Sequence, residues 1–339
     1  MSSRKAVILA HAFAALVLLA SPAHAVFRAY VAADGNDANP CTLTSPCRLL
    51  PAALTAVDSG GEIWMLDSAN YNTAQVDITK SVTILAVPGA VGSVVATGGV
   101  SASALYMNAA GISVTLRNLV VVQLGTSLAG AYMTNGSQLT IQSCDFSGLD
   151  GGGGAVYMGA ATGVLTINDS IVRGAAYGVA ITAGGTLAMD RTRLENNNIG
   201  VVVNNSRATL NESFFAGNNI GVYVTAQGGN SATATIRNSA IAGRGSSGSG
   251  INLQTVAIGD SGFVNLVNSS ITHVSAGIHT IGVAGATTTL LLDGNSITDN
   301  VFPITFTGPA PTVLTRQNNT VRHNAGGDSI GTFTPVSPQ

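Results

Sequence analysis

The sequence predicts an all-β solenoid, a chain wound into stacked coils of short parallel strands, and two observations lead there. RLENNNIGVVV, which begins at Arg193, is nearly repeated as FFAGNNIGVYV, which begins at Phe214. After the Gly of each copy, valines recur at every second position in GVVV (200–203) and GVYV (221–224), a period of two that indicates strands and not helices. A short repeat of this kind cannot bury its apolar face alone, so its copies must stack on one another.

Two apolar series predict the core of each coil. An anchor recurs 21 to 30 residues after the previous one, and the anchors are Leu116, Ile141, Ile167, Met189, Leu210, Ile236, Leu266, Leu292 and, in a poorly matching last copy, Arg316. Five positions after each anchor stands a second series: Val121, Phe146, Val172, Leu194, Phe215, Ile241, Ile271, Ile297 and Val321. Both series are predicted to point inward.

A third series consists of four-residue runs with alternating side chains, most of which begin with Gly. The runs are GAYM (130–133), AVYM (155–158), GVAI (178–181), GVVV (200–203), GVYV (221–224), GINL (250–253), GIHT (277–280) and PITF (303–306). Gly and Asn separate the strands, and Asn suits a bend because it tolerates left-handed backbone angles. We therefore predict several short strands per coil, joined at corners.

The residues between the first two series should form columns up the stack. The two residues after each anchor are predicted to face outward. The third, exemplified by Cys144, Ser170 and Ser213, is predicted to form an internal ladder of small side chains. Cys144 is therefore interpreted as a buried, inert thiol.

The segment YVAADGNDANPCTLTSPCRLLPAAL (30–54) is similar to the N-terminal segment of exported bacterial β-helix proteins. The matching residues are Gly35, Asp37, Asn39, Pro40, Thr42 and Pro46. Together with the coil pattern, this segment resembles right-handed parallel β-helix proteins of the pectate-lyase-like superfamily. The resemblance implies a right-handed parallel β-helix of about ten coils. It also implies an N-terminal cap whose short helix, near residues 48–57, covers the open end of the core.

The predicted organisation has four parts. Residues 1–25 combine a basic start, an apolar stretch and an Ala-His-Ala site, which indicates a signal peptide cleaved after Ala25. A cap with the first strand follows at 26–75, the β-helix domain at 76–330, and a disordered tail at 331–339. No later segment is long and apolar enough to span a membrane. A secreted or periplasmic location is therefore predicted.

The composition argues against nucleic-acid binding, and the cysteines indicate an oxidising compartment. Only 9% of residues are charged, and the formal net charge is −2. No clustered basic face is present, which argues against nucleic acid as a partner. Cys41 and Cys47 flank the short loop CTLTSPC and are predicted to form a disulfide in an oxidising compartment. A zinc pair is the weaker alternative, because no second pair stands at ligand spacing.

One patch concentrates charge across three adjacent coils, and we name it the charged patch. Its residues are Asp169, Arg173, Asp190, Arg191, Arg193, Glu195 and Glu212. It has two interpretations: a groove that binds or cleaves a saccharide, or an exposed ladder of alternating charges. The resemblance includes polygalacturonase-like enzymes, which carry motifs such as N-T-D and G-H-G. None of these motifs occurs here.

Two functions stay open on this basis. The first is an exported, noncatalytic scaffold or surface protein that presents a sheet face to a polysaccharide, a cell-envelope glycan or a protein. The alternative is a polysaccharide lyase or glycoside hydrolase that acts on an acidic polysaccharide through the charged patch. No metal or cofactor is predicted, and calcium would enter only with the lyase. The sequence defines neither a substrate nor an oligomeric state.

Overall fold

A computed structural model describes residues 26–150, 152–245, 247–328 and 333–337. The predicted signal peptide, residues 1–25, lies outside these ranges. All strand pairs within them are parallel, except for an isolated antiparallel bridge between Thr42 and Ser45. Each coil of the chain contributes one strand to each of three sheets, and ten complete coils follow one another between Val57 and Thr307.

The three sheets are numbered in the order in which a coil visits them, and their strands are counted over the described residues. The thirteen strands of sheet 1 are Val26–Val31, Val57–Met65, Val82–Ala86, Ser113–Arg117, Gln138–Gln142, Val164–Asn168, Thr186–Asp190, Arg207–Asn211, Ser231–Arg237, Ser261–Val267, Thr287–Asp293, Thr312–Thr315 and Phe333–Pro335. The eleven strands of sheet 2 are Ala69–Asn70, Gly92–Ala96, Leu119–Gln123, Asp145–Ser147, Ile171–Arg173, Arg193–Glu195, Phe214–Ala216, Ala240–Ala242, Ser270–Thr272, Ser296–Thr298 and Thr320–Arg322. The ten strands of sheet 3 are Val76–Ile78, Gly99–Met107, Ser127–Met133, Gly154–Met158, Tyr177–Ile181, Ile199–Asn204, Ile220–Ala226, Ser249–Thr255, Ala276–Ile281 and Phe302–Thr307.

The cap covers the N-terminal end of the stack, as predicted. Its strand Val26–Val31 pairs with Val57–Met65, and its helix α1 (Leu50–Ala56) starts with a proline in its first turn. Leu50, Ala53 and Leu54 are the helix residues that face the core. The predicted disulfide joins Cys41 to Cys47. Among the described residues, no helix has the length and apolarity needed to cross a bilayer.

The inward series are confirmed by the register of the strands. Ile167 aligns with Ile141 on one side and Met189 on the other, and Met189 aligns in turn with Leu210. Side chains of the same kind therefore contact one another up the axis and fill the interior without exposure to solvent. This stacking supplies the apolar burial that no single coil could achieve.

Two details at the C-terminal end differ from the prediction. Leu292 aligns with Thr315, and Arg316 is not an anchor, because the last turn between sheets 1 and 2 holds one extra residue. Thr315 is buried in the anchor position, while Nε of Arg316 lies 3.2 Å from Oδ2 of Asp293. The tail was predicted to be disordered from residue 331, whereas Phe333–Pro335 pairs with Val313–Thr315 as a further strand of sheet 1.

The first corner, between sheets 1 and 2, is turned by one left-handed residue per coil. The second residue after each anchor has a positive φ, from 44° to 56°, in seven successive coils: Asn118, Ser143, Asp169, Arg191, Glu212, Asn238 and Asn268. This backbone conformation is uncommon for residues other than glycine. Their side chains face outward, as predicted, but they project from a turn and not from a strand.

Behind the first corner runs the predicted internal ladder. The hydroxyl of Ser213 accepts a bond from the backbone N–H of Thr192 (3.3 Å) and donates one to the carbonyl of Asn211 (2.8 Å). Ser239 repeats the pattern on the next rung. The ladder supplies partners to backbone groups that the corner removes from the sheets, where an unpaired group would destabilise the fold.

The second corner, between sheets 2 and 3, explains the repeated Asn-Asn-Ile-Gly. Asn196 takes the left-handed turn position, with a φ of 54°. Asn197 is buried beneath it and bonds to Asn218 on the next rung. Gly221 is required for a different reason, because a Cβ at that position would lie 2.5 Å from the carbonyl oxygen of Gly250.

The buried amide of Asn218 should carry part of the stability of this corner. Its Oδ1 accepts bonds from the backbone N–H (2.9 Å) and the Nδ2 (3.1 Å) of Asn197, and its Nδ2 donates to the carbonyl of Leu194 (2.8 Å). Asn218→Ala would leave these groups buried and unpaired, so we expect a loss of about 2 kcal/mol or more in the free energy of unfolding. Asn219→Ala is the control, because Asn219 is exposed. Equal shifts of the urea midpoint for both variants would contradict this account.

Cys144 should be chemically silent in the folded protein. The thiol is buried, and burial raises its pKa to about 12. Because the thiolate is the reactive species, we expect no labelling by a disulfide reagent near pH 8 until urea unfolds the chain. Cys144→Ser should abolish the labelling seen in urea. Rapid stoichiometric labelling of the native protein would show that the ladder is open to solvent.

Candidate functional site

The charged patch gathers around the first corner. Asp169, Arg191 and Glu212 occupy the left-handed position in three successive coils, with φ values of 51°, 44° and 46°. All three are exposed. The structure therefore brings the predicted residues together, but it places these three on a corner and not on the flat part of a sheet.

Arg191 is the centre of this arrangement. Its Nε lies 2.7 Å from Oδ1 of Asp169 and its Nη2 lies 3.0 Å from Oδ2, so the pair is bidentate. Its Nη1 donates to Oδ2 of Asp190, and the other oxygen of Asp190 accepts a bond of 2.7 Å from Nδ2 of Asn211. The hydrogen bonds from Arg191 lower the pKa of Asp169. Both aspartates are thus already partnered.

The remaining members of the patch lie on sheet 2. Arg173 pairs with Asp145, with Nη2 2.6 Å from Oδ2. The Nε of Arg193 donates to Oε1 of Glu195 in the same strand (2.7 Å), and its guanidinium lies 5.6 Å from the ring centre of Phe214. Each of these arginines therefore has a carboxylate neighbour. Exposed ion pairs of this type contribute little to stability.

This geometry limits what the charged patch can do chemically. General acid catalysis on a glycoside calls for a carboxyl whose pKa is raised, beside a second carboxylate that is free to act. Here the pKa of Asp169 is lowered, and Arg191 holds both Asp169 and Asp190. The arrangement supports the interpretation of the patch as a ladder of alternating charges. Its role as a glycan groove stays a prediction.

Sheet 3 carries a second surface, which the sequence analysis missed. Tyr106, Tyr132 and Tyr157 stand on consecutive rungs in register, and we call them the tyrosine row. Their ring centres are 5.6 Å and then 4.8 Å apart, with interplanar angles of 45° and 47°. Ala180 and Val202 follow in the same column, and Tyr223 comes after them. The signal was present, since Tyr is the third residue in GAYM, AVYM and GVYV.

We call the space between Tyr157 and Tyr223 the tyrosine recess. The small side chains of Ala180 and Val202 form its floor, and its volume is about 390 Å³. The lining residues are Leu128, Tyr132, Gly152, Gly153, Tyr157, Tyr177, Ala180, Thr182, Ile199, Val202 and Tyr223. Aromatic rings, aliphatic groups and hydroxyls therefore surround an open space, which is the usual composition of a small-molecule site.

Hydroxyl groups run along one edge of the row. The Tyr157 hydroxyl lies 3.4 Å from Oγ1 of Thr182, and the Tyr223 hydroxyl donates to Oε1 of Gln254. Burial, and then the neighbouring phenols of Tyr157 and Tyr106, raises the pKa of Tyr132. That phenol is therefore neutral at physiological pH. The row presents apolar ring faces beside groups that can donate or accept hydrogen bonds.

The three histidines among the described residues lie on sheet 3 and at the second corner. His279 faces outward from sheet 3, where its Nδ1 lies 2.7 Å from Oγ1 of Thr305 and burial lowers its pKa. His273 and His323 stand at the second corner, with φ values of 57° and 59°. In the part of the chain that the structure describes, no three His, Cys, Asp or Glu side chains come together as metal ligands would.

Comparison with known proteins agrees with this architecture. Residues 99–255 match the family described as "Right handed beta helix region". The fold of the chain is a right-handed parallel β-helix, as the sequence predicted. No curated protein is similar enough in sequence to count as a relative.

Several solved structures share the fold at low sequence identity. The enzymatically active domain of tailspike protein 2 from bacteriophage CBA120 has a TM-score of 0.54 and 11% identity, over 78% of this chain and 44% of that one. A GH136 lacto-N-biosidase from Eubacterium ramulus has a TM-score of 0.53 and 10% identity, over 91% of this chain and 67% of that one. The pectate lyase Pel9A matches at a TM-score of 0.44 and 14% identity, over 87% and 78%. This chain thus spans less than half of the tailspike chain.

The ion pair at the first corner leads to a titration experiment. Because Arg191 lowers the pKa of Asp169, Arg191→Met should raise that pKa towards its ordinary value, as measured by NMR titration of the carboxyl carbon. Arg207→Met, an exposed arginine of sheet 1, should leave it unchanged. The pair should stabilise the native state near neutral pH and lose that effect as acid protonates Asp169. An unaltered pKa in Arg191→Met would mean that another group sets it.

Proposed function

We propose that this protein is an exported, noncatalytic β-helix that binds a glycan along sheet 3, across the tyrosine row and the tyrosine recess. The fold that the protein shares with solved structures does not carry this proposal, because their sequence identities are at most 14% for those compared above. The row of half-buried tyrosines in a straight column carries it.

Tyrosines suit a sugar ligand for a physical reason. A pyranose ring has faces of C–H groups and a rim of hydroxyls, so it can pack a face on an aromatic ring and bond through its rim. The phenol rings offer the first contact, and the hydroxyls of Tyr157 and Thr182 offer the second. A column that repeats every rung, about 4.8 Å apart, can hold successive sugar units of one chain.

The chemistry of the recess supports binding without turnover. Glycoside hydrolysis uses a pair of carboxyl groups on either side of the bond that is cleaved. The lining residues are tyrosine, threonine, glycine and aliphatic side chains, and none of them is a carboxylate. A sugar held there would contact no Asp or Glu of the lining.

Export fits the covalent structure of the cap. The Cys41–Cys47 disulfide is typical of proteins that leave the reducing cytoplasm. The disulfide lies within the cap, which directly follows the predicted signal peptide in the sequence. A secreted or periplasmic location would bring sheet 3 into contact with extracellular or cell-envelope polysaccharide.

The enzyme alternative keeps one observation in its favour. Arg191 lies between two carboxylates, Asp169 and Asp190, on an exposed corner. If an acidic polysaccharide displaced these ion pairs, an arginine and two carboxylates would face the substrate. Under this alternative the protein would act as a lyase or a hydrolase, and a lyase would bind calcium through the carboxylates.

Glycan binding by the native protein and by two variants separates the two surfaces. We expect Tyr157→Ala to weaken binding of the best ligand on a glycan array by about tenfold or more, or ~1.4 kcal/mol, because a stacking platform is lost. Arg191→Met should bind as the native protein does, since it lies on a different face. Thermal unfolding of both variants controls for loss of structure.

An activity assay tests the alternative directly. The protein is incubated with acidic polysaccharides, with and without calcium, while unsaturated ends and reducing sugars are measured. We expect no turnover. Turnover that is lost in Asp190→Ala or in Arg191→Met would establish the enzyme and overturn the proposed noncatalytic role.

A further inference from the structure

We infer that the ligand of the tyrosine recess is an uncharged oligosaccharide that lies parallel to the helix axis. This inference rests on the proposed function and names its ligand class. The ligand class therefore differs from the acidic polysaccharide that the enzyme alternative assigns to the charged patch. The observation behind it is the distribution of charge among the three sheets.

Sheet 3 is free of charged side chains over nearly its whole length. Nine successive strands, from Gly99–Met107 to Phe302–Thr307, contain no Asp, Glu, Lys or Arg. Asp77, in the strand Val76–Ile78, is the one such residue among the described strands of this sheet. Charged residues do occur on sheet 2 and at the first corner, so the chain does not lack them everywhere.

An acidic sugar would therefore meet no countercharge in the recess. A carboxylate that moves out of water against tyrosine rings and aliphatic groups loses hydration and gains no ion pair, which is costly. The formal net charge of −2 would add a weak repulsion at a distance. A neutral sugar avoids both effects, since its hydroxyls can bond to Tyr157, Thr182 and water.

The shape of the surface sets the orientation of the ligand. From Tyr106 to Tyr223 the column rises by five rungs, or about 24 Å. The recess lies within this length, closed by Tyr157 at one end and Tyr223 at the other. Tyr177 and Ile199 flank its floor on one side and Thr182 on the other. A chain of several pyranose rings stays in contact with this column only when it runs along the axis.

Hydrogen-bonding side chains continue the column beyond Tyr223. Asn252 and His279 occupy the next two rungs, in register with Tyr223. Both side chains are half-buried. The column therefore changes from apolar platforms to amide and imidazole groups. A neutral chain that extends past the recess would reach groups suited to its hydroxyls.

The test compares ligands that differ in charge and share a backbone. Oligogalacturonate and its fully methyl-esterified form make the pair, and fully acetylated chitohexaose is a further neutral ligand. Neutral xylo- and maltohexaose widen the set. We expect calorimetry to show that the neutral member of the pair binds at least about tenfold more tightly. That binding should be nearly unchanged between about 50 and 500 mM salt.

Variants at the recess sharpen the result. Tyr157→Ala should lose the neutral ligand, while Tyr157→Phe, which keeps the ring, should bind within about threefold of the native protein. Val202→Lys places a cation on the half-buried floor, so it should weaken the neutral ligand and strengthen oligogalacturonate. Val202→Met is the matched control, because it adds length without charge.

The outcomes separate this inference from the proposed function. Binding that depends on Tyr157 but is confined to the charged sugars would overturn the neutral ligand class and leave glycan binding at sheet 3 intact. Binding that is lost in Arg191→Met and retained in Tyr157→Ala would overturn both, and so would an absence of binding to every probe.

Discussion

The structure depends on the corners between sheets 1 and 2 and between sheets 2 and 3, because every strand above and below a corner must arrive in the same register. At the first corner a left-handed residue makes the bend, and a ladder of serine, threonine and asparagine side chains behind it bonds to the displaced backbone groups. At the second corner buried asparagines do the same. Since these ladders keep successive coils aligned, the outward side chains fall into straight columns. A column of tyrosines or of charges is a direct result of that alignment.

The apolar interior was predictable because apolar residues recur in the sequence at the regular positions that point inward. The anchors from Leu116 to Leu292 and the second series all take the positions that the repeat indicated. Arg316 was assigned as an anchor by counting five positions back from Val321. The last turn between sheets 1 and 2 holds one additional residue, so the anchor position falls on Thr315 instead. The strand at Phe333–Pro335 was missed for another reason: it is short and mostly exposed, so its pairing leaves little trace in the sequence.

The surface was harder to predict, because polarity does not report backbone angles. Asp169, Arg191 and Glu212 were recognised as a cluster, yet nothing in their charge indicated that they form a left-handed turn. The tyrosine row was missed because a column exists only after the strands have been set in register. Tyr157 and Tyr223 are separated by two rungs occupied by Ala180 and Val202. In the sequence these four residues look like ordinary strand residues, because their alignment in one column is not visible there.

The faces of the helix differ sharply in chemistry. Sheet 2 and the first corner hold arginines and carboxylates that neutralise one another locally, whereas sheet 3 exposes phenols, amides and hydroxyls. With only 9% charged residues in the whole chain, such a separation leaves one complete face on which hydrogen bonding and ring stacking dominate. This face therefore meets water mainly through hydroxyl and amide groups.

The two rungs of the recess floor also show how such a surface can change over time. Because each coil contributes a single side chain to the column, exchanging Ala180 or Val202 for a tyrosine would shorten the trough by one step, and inserting a whole coil would lengthen it by one. The length of the trough is thus adjustable in discrete units the height of a strand, without any alteration of the core. The length of such a surface can therefore change during evolution by one coil at a time.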